Sequence, residues 1–200
     1  SRPREKRAAV DVYISADVET DGPIPGPFSM LSFAFVEVGR SDGTSLIRPQ
    51  TARSFYRELK PISEQFEPEA LAINGLDREL LGREGTEPRD AMDDARRWVR
   101  EISGEASPIL VAFPLSFDWT WLYWYFIRFG SDSPFNHSRC FDIKTAYAVK
   151  GHRTVATSGR DQLVPELRPQ LAHTHHALDD AREQAEIFAR LFAWQAPHVG

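Results

Sequence analysis

The chain has 200 residues, 42% of them apolar and 26% charged, which suits one globular domain with a substantial core. No apolar run reaches the ~18–20 residues that span a bilayer, so a membrane partner is not expected. Its net charge of −5, from 24 basic and 29 acidic residues, argues against a general duplex-binding module, which would be basic.

Residues 1–8, opening on the charged stretch Ser1–Arg7, predict a flexible polar arm; no apolar stretch follows, so no secretory signal is expected. A single domain is expected over 9–196. Val10 to Glu19 alternates as a strand, with Tyr13, Ser15, Asp17 and Glu19 on one face and Val12, Ile14 and Ala16 on the other. A turn-rich loop, Asp21 to Pro27, leads to a second strand over Met30–Val38, and Ser41-Asp42-Gly43 suits the hairpin turn after it. Ser54 to Lys60 alternates as a third strand. Three early strands joined by short turns predict antiparallel pairing.

Helices follow. Glu67 to Ile73 ends at the C-cap pair Asn74-Gly75, and Thr86 and Pro88 mark the start of a longer helix running to Ile102. Ile109–Phe113 reads as a short buried strand. Ser116 is the expected cap of a helix that runs to Phe129 and closes at Gly130. That helix is aromatic on every side, which predicts burial all round, with part of it a candidate contact for a homodimer. Cys140–Asp142 is a short strand leading into a helix over 143–149. Residues 151–174 lack periodicity, and Ala177–Trp194 is an amphipathic helix. Cys140, the only cysteine, excludes an intrachain disulfide and fits a reducing cytoplasm.

Asp17 and Glu19 stand side by side at the carboxyl end of the first strand. Like charges that close need neutralising, and hard oxygen ligands suit Mg²⁺ or Mn²⁺. The same pair reads equally as a polar strand end beside a turn. In the last helix, Ala177, Ala181, Phe188 and Phe192 define the apolar stripe, and Asp180 lies beside it with Ile187 and Leu191. Asp179 falls off the stripe with Glu183, Glu186 and Arg190, and reads as solvated. Asp118 heads an inward face made with Trp121, Leu122, Tyr125 and Phe129. Helix-dipole and capping roles are the alternatives for Asp180 and Asp118. His173, His175 and His176 precede the last helix. They suggest zinc at first sight, but the acidic set favours a hard ion and leaves His175 to act as a general base.

Taken together these residues resemble the DEDDh exonucleases, the DnaQ-like and RNase T-like superfamily. The segment 14–22, ISADVETDG, resembles the first motif, 115–122, LSFDWTWL, the second, and 175–181, HHALDDA, the third, which is a histidine, four residues and an aspartate. The resemblance implies an α/β fold with an RNase H-like mixed five-stranded sheet flanked by helices. It implies two Mg²⁺ or Mn²⁺ ions: Asp17 between both, Glu19 and Asp180 at the one on the attacking-water side, Asp118 at the other, and His175 as the base. The implied activity is 3′→5′ removal of nucleoside 5′-monophosphates from single-stranded DNA or RNA. Thr20, Phe28 and Leu115 are the implied substrate contacts. Asn74 stands where the family often has histidine. Pro114 stands where it often has asparagine, which touches the grip on terminal nucleotides and not the metal chemistry. Lys144, Lys150, Arg153 and Arg160 are candidate phosphate contacts. Competing readings are a catalytically silent nucleic-acid adaptor and a small-molecule phosphodiesterase.

Overall fold

Residues 9–197 are described by the structure, a computed structural model; the arm expected over residues 1–8 lies outside them. The alternating segment forms strand β1 (Asp11–Thr20). It is followed by β2 (Met30–Ser41), a two-residue β3 (Leu46–Ile47) and β4 (Ser54–Glu58). Three helices come next, α1 (Pro68–Asn74), α2 (Arg78–Glu84) and α3 (Pro88–Ser103). The rest of the chain is β5 (Ser107–Ala112), α4 (Leu115–Phe129), β6 (Cys140–Asp142), α5 (Ile143–Lys150) and α6 (Ala177–Ala193). Between α5 and α6 the unpatterned segment makes three single 3₁₀ turns, at 155–157, 160–162 and 165–167.

β1 is central. It pairs antiparallel with β2 and parallel with β5, and β6 adds in parallel to β5. β3 and β4 both pair antiparallel with β2, on the edge that β1 leaves free. Six strands therefore occupy five positions, giving the expected mixed sheet with antiparallel early strands.

Alternation along β1 divides the core. Val12, Ile14, Ala16 and Val18 pack with α3 and α4 on one face. Tyr13 on the other face packs with Ala34, Val36 and Val38 of β2 against α6. Among the described residues, no helix is long and apolar enough to cross a membrane.

Besides the unpredicted two-residue β3, the structure departs from the sequence reading in three places. α2 was not expected; it starts at Asp77, whose side chain accepts from the Leu80 amide. Arg78 then pairs with the buried Asp21 at 2.9 Å, fastening α2 to the loop after β1. Ser116 does not cap α4, because Pro114 holds that place and the helix begins at Leu115. The Ser116 carbonyl accepts instead from the Thr120 hydroxyl at 2.7 Å. Nor is α4 buried all round. Trp121, Leu122, Tyr125 and Phe126 face the core, whereas Phe117 is exposed and Ile127 is exposed beside Trp119, Tyr123 and Trp124.

Candidate metal centre

The site forms where β1 outruns its parallel neighbour. The β1–β5 register ends at Ser15 opposite Val111, so the backbone of residues 17–19 is open on that side. Asp118, buried in the first turn of α4, fills the gap: its Oδ1 accepts the Val18 amide at 3.1 Å. Across the antiparallel pairing, Asp17 stands opposite Ala34 and Glu19 opposite Ser32. Those small partners leave room on the face where the two carboxylates project. A register shift between Glu19 and Thr20 ends the regular ladder there, as bulges beside active sites often do.

α6 brings Asp180 onto the same face. Its oxygen, one from Asp17 and one from Glu19 lie within 4.8 Å of one another. Asp180 is 1% exposed, its Oδ1 accepts the Thr174 amide at 2.8 Å, and its Oδ2 has no hydrogen-bond partner. The predicted inward phase of Asp180 is thus observed, and Asp179 next to it is half-exposed.

Electrostatics follow from this crowding. Burial, and then the charges of Asp118, Glu19 and Asp180, hold the Asp17 carboxyl well above the usual carboxylate range, with Arg160 opposing. Burial and the charges of Asp180 and Asp118 push Glu19 up to about 8. Asp118 is raised to about 7 by burial, against the hydrogen bonds it accepts from backbone amides and the charge of Arg160. Three carboxyls driven this far towards the neutral acid, beside an unpaired buried oxygen of Asp180, fit divalent cations with oxygen ligands.

His175 sits on the exposed loop before α6, in a left-handed backbone conformation with φ 58°. Its ring stands edge-on to that of His173, centroids 4.6 Å apart. His173 Nδ1 lies 3.1 Å from Asp180 Oδ1 and 3.3 Å from Glu183 Oε2. Burial and the charge of Arg160 lower its pKa, with Asp180 opposing. His176 belongs elsewhere, stacked on Tyr56 of β4 at 4.9 Å.

Two site residues escaped the sequence reading. Gln184 is fully buried and clamps two segments: its Nε2 donates to Asp17 Oδ1 at 2.8 Å and its Oε1 accepts the Phe113 amide at 2.7 Å. One helical turn beyond Asp180, a polar residue on the inward stripe was the available signal. Glu183 was expected to be solvated but is 3% exposed. The 151–174 segment covers it, with Arg160 Nε 3.1 Å from its Oε2, and burial raises its pKa to about 7.

The remaining candidates divide. Arg160 lies over the Phe113 ring at 5.1 Å, and its Nη2 is buried without a hydrogen-bond partner. Lys150 donates to the Leu191 and Phe192 carbonyls, and Arg153 to the Thr157 carbonyl, so both serve the fold. Thr20 is buried and donates its hydroxyl to the Gly22 carbonyl at 2.9 Å. Phe28 and Leu115 are partly buried against the core. Asn74 ties the end of α1 to the Thr20 carbonyl at 3.0 Å.

A mixed sheet of this order, carrying converging carboxylates and a neighbouring histidine at the end of its central strand, is an RNase H-like fold with a candidate divalent-cation site. Comparison with known proteins agrees. The RNase_T family model, described as "Exonuclease", matches residues 14–188. The chain is 34% identical over 183 residues to the 3′-5′ DNA exonuclease Cap18 of Escherichia coli, covering 91% of this chain and 92% of that protein. The nuclease domain of 3′hExo, a DEDDh family member solved bound to rAMP, superposes with a TM-score of 0.67 at 13% identity, covering 94% of each chain. Pop2p of S. pombe, in a form with Mg²⁺ and Mn²⁺ bound, gives 0.60 at 17% identity, covering 90% of this chain and 82% of that one. The chain belongs to this exonuclease family and is a 3′→5′ exonuclease.

Proposed function

We propose that residues 9–196 form a single exonuclease domain that removes nucleoside 5′-monophosphates from the 3′ end of single-stranded nucleic acid by two-metal chemistry. The observation that carries this reading is the convergence of Asp17, Glu19 and Asp180 oxygens within 4.8 Å, with a buried Asp180 oxygen left unpaired. DNA is the favoured substrate, on the likeness to a relative named as a DNA exonuclease.

Asp17, Glu19, Asp118 and Asp180 would hold two Mg²⁺ or Mn²⁺ ions, which when bound supply positive charge at the phosphodiester and activate water. The chain's own residues do the rest. His175, on its exposed loop, takes the proton from the attacking water as general base. Gln184 fixes the Asp17 carboxylate by donating to Oδ1. Asp118 locks α4 to β1 through the Val18 amide, so the two ligand-bearing elements keep their spacing. Phe28 and Leu115 line the terminal nucleotide, and Thr20, with its hydroxyl already engaged, contributes through its backbone. The exposed aromatic face of α4 is where a second copy would pack in a homodimer. The domain would work in the cytoplasm, where Cys140 stays a free thiol.

Incubation with 5′-labelled single-stranded oligonucleotides and Mg²⁺ or Mn²⁺ should give a ladder shortening from the 3′ end, with mononucleotide products. Asp17→Asn and His175→Ala should abolish release while Tm stays near wild type. Unchanged turnover in either variant would overturn the assignment.

A further inference from the structure

Two groups of ligating atoms meet at Asp180. One is Asp17, Glu19 and Asp180; the other is His173, His175 and Asp180, whose ligand atoms also lie within 4.8 Å of one another. The second group has different chemistry. Two imidazole nitrogens and one carboxylate oxygen suit Zn²⁺ far better than Mg²⁺, which prefers oxygen alone and keeps much of its water.

Local structure builds this second group. The left-handed conformation of His175, φ 58°, places its ring against that of His173. Asp180 is 1% exposed, and its Oδ1, which also accepts the Thr174 amide at 2.8 Å, lies 3.1 Å from His173 Nδ1. Glu183 Oε2 stands 3.3 Å from His173 Nδ1, so a further carboxylate borders this group. Arg160 opposes a cation here, but its Nε lies 3.1 Å from Glu183, which offsets its charge. Three protein ligands leave a fourth position of a zinc tetrahedron for water.

We infer that His173, His175 and Asp180 form a zinc site that shares Asp180 with the catalytic centre, so that Zn²⁺ competes with the activating ions and switches the enzyme off. Binding of zinc does not depend on the catalytic reading above; inhibition rests on it, since it requires Asp180 and His175 to be catalytic.

The test uses metal-stripped full-length protein, with Zn²⁺ affinity measured by competition against a chromogenic chelator. The wild type should bind one Zn²⁺, His173→Ala should bind about tenfold more weakly or worse, and Glu19→Gln should bind as the wild type does. In parallel, Zn²⁺ is titrated against Mg²⁺-supported nucleotide release. Measured against its own zinc-free Mg²⁺-supported rate, His173→Ala should need about tenfold more Zn²⁺ for half-inhibition. Equal zinc affinity in wild type and His173→Ala overturns the site. Loss of zinc binding in Glu19→Gln also overturns it, by placing the ion among the carboxylates. Zinc bound as described without inhibition overturns the inhibitory role alone. Full exonuclease turnover in Glu19→Gln instead overturns the catalytic reading and leaves the zinc site standing.

Discussion

Two acidic regions of this protein are neutralised in opposite ways. Along α3, Asp93 and Asp94, with Asp132 beyond α4, are each met by arginine. Arg96 lies 2.7 Å from Asp132 and 3.1 Å from Asp93, Arg100 lies 2.7 Å from Asp132, and Arg97 pairs with Asp94. The hydrogen bond from Arg96 holds the Asp132 carboxyl below the usual carboxylate range. At the end of β1, Asp17, Glu19, Asp118 and Asp180 converge with no such partners; Arg160 acts on Asp17 and Asp118, yet its ion pair is with Glu183. There the Asp17, Glu19 and Asp118 carboxyls are pushed up. The same residue type thus reports two functions: acids that complete their charge within the chain stabilise a surface, and acids that cannot do so wait for a cation.

Removing one of the unpaired acids should have the largest effect. Asn in place of Asp118 can still accept the Val18 amide, so the helix–strand tie survives while a charge is lost. Turnover should fall by about 10²–10³-fold, several kcal/mol of lost transition-state stabilisation. Metal-free Tm should hold or rise, because a repulsive charge has gone. A steep loss of metal-free stability instead would mean that Asp118 is a structural residue. Gln184→Ala comes next. Residues that position metal ligands typically cost about 10–100-fold when removed. The loss should appear as a raised Mn²⁺ concentration for half-activation, a readout that looser packing alone would not move.

A third effect is smaller and depends on pH. Glu19 and Asp118 are raised in the folded protein to about 8 and about 7, so the folded state holds protons that the unfolded state has released. Stability from those groups is fully present below about pH 4, the unfolded carboxylate range, and is lost as pH rises through 7 to 8. Metal-free Tm should therefore decline from pH 5 to pH 8.5. The gain in Tm on adding Mn²⁺ should grow over the same range, as the carboxylates that hold it ionise. A gain independent of pH would contradict the raised carboxyls.

Much of this contrast was legible in the sequence, because helical phase is a strong signal. Asp118 is buried as its apolar neighbours at i+3, i+4 and i+7 required, Asp180 as Ile187 and Leu191 at i+7 and i+11 required, and the alternation in β1 put Asp17 and Glu19 on one face. What escaped was decided by tertiary contact. Glu183 lies off the apolar stripe and would be solvated on an isolated helix; the 151–174 segment covers it, and that segment has no periodicity to read. Gln184 could be seen as a polar residue on the inward stripe, but not its role, which is two hydrogen bonds to residues 167 and 71 positions away. α2 was missed because it is only seven residues long and holds a single buried side chain, Leu81. The bare outer face of α4 shows the reverse failure: aromatic composition predicts burial, but the layers on that side of the sheet stop at α4 itself.

The smallest effect belongs to the satisfied region. Arg100 and Asp132 are both more than half exposed, and a pair of that kind contributes about 0.2–1 kcal/mol, less in salt. Arg100→Ala should lower Tm by no more than about 2–4 °C, and by less at high ionic strength. Exonuclease turnover and its Mn²⁺ dependence should not change, because Arg100 pairs with an acid that has no part in the cluster at β1. A loss of turnover in Arg100→Ala comparable with that in Gln184→Ala would show that the two acidic regions are coupled, and burial with unpaired charge would then no longer distinguish the site from the surface.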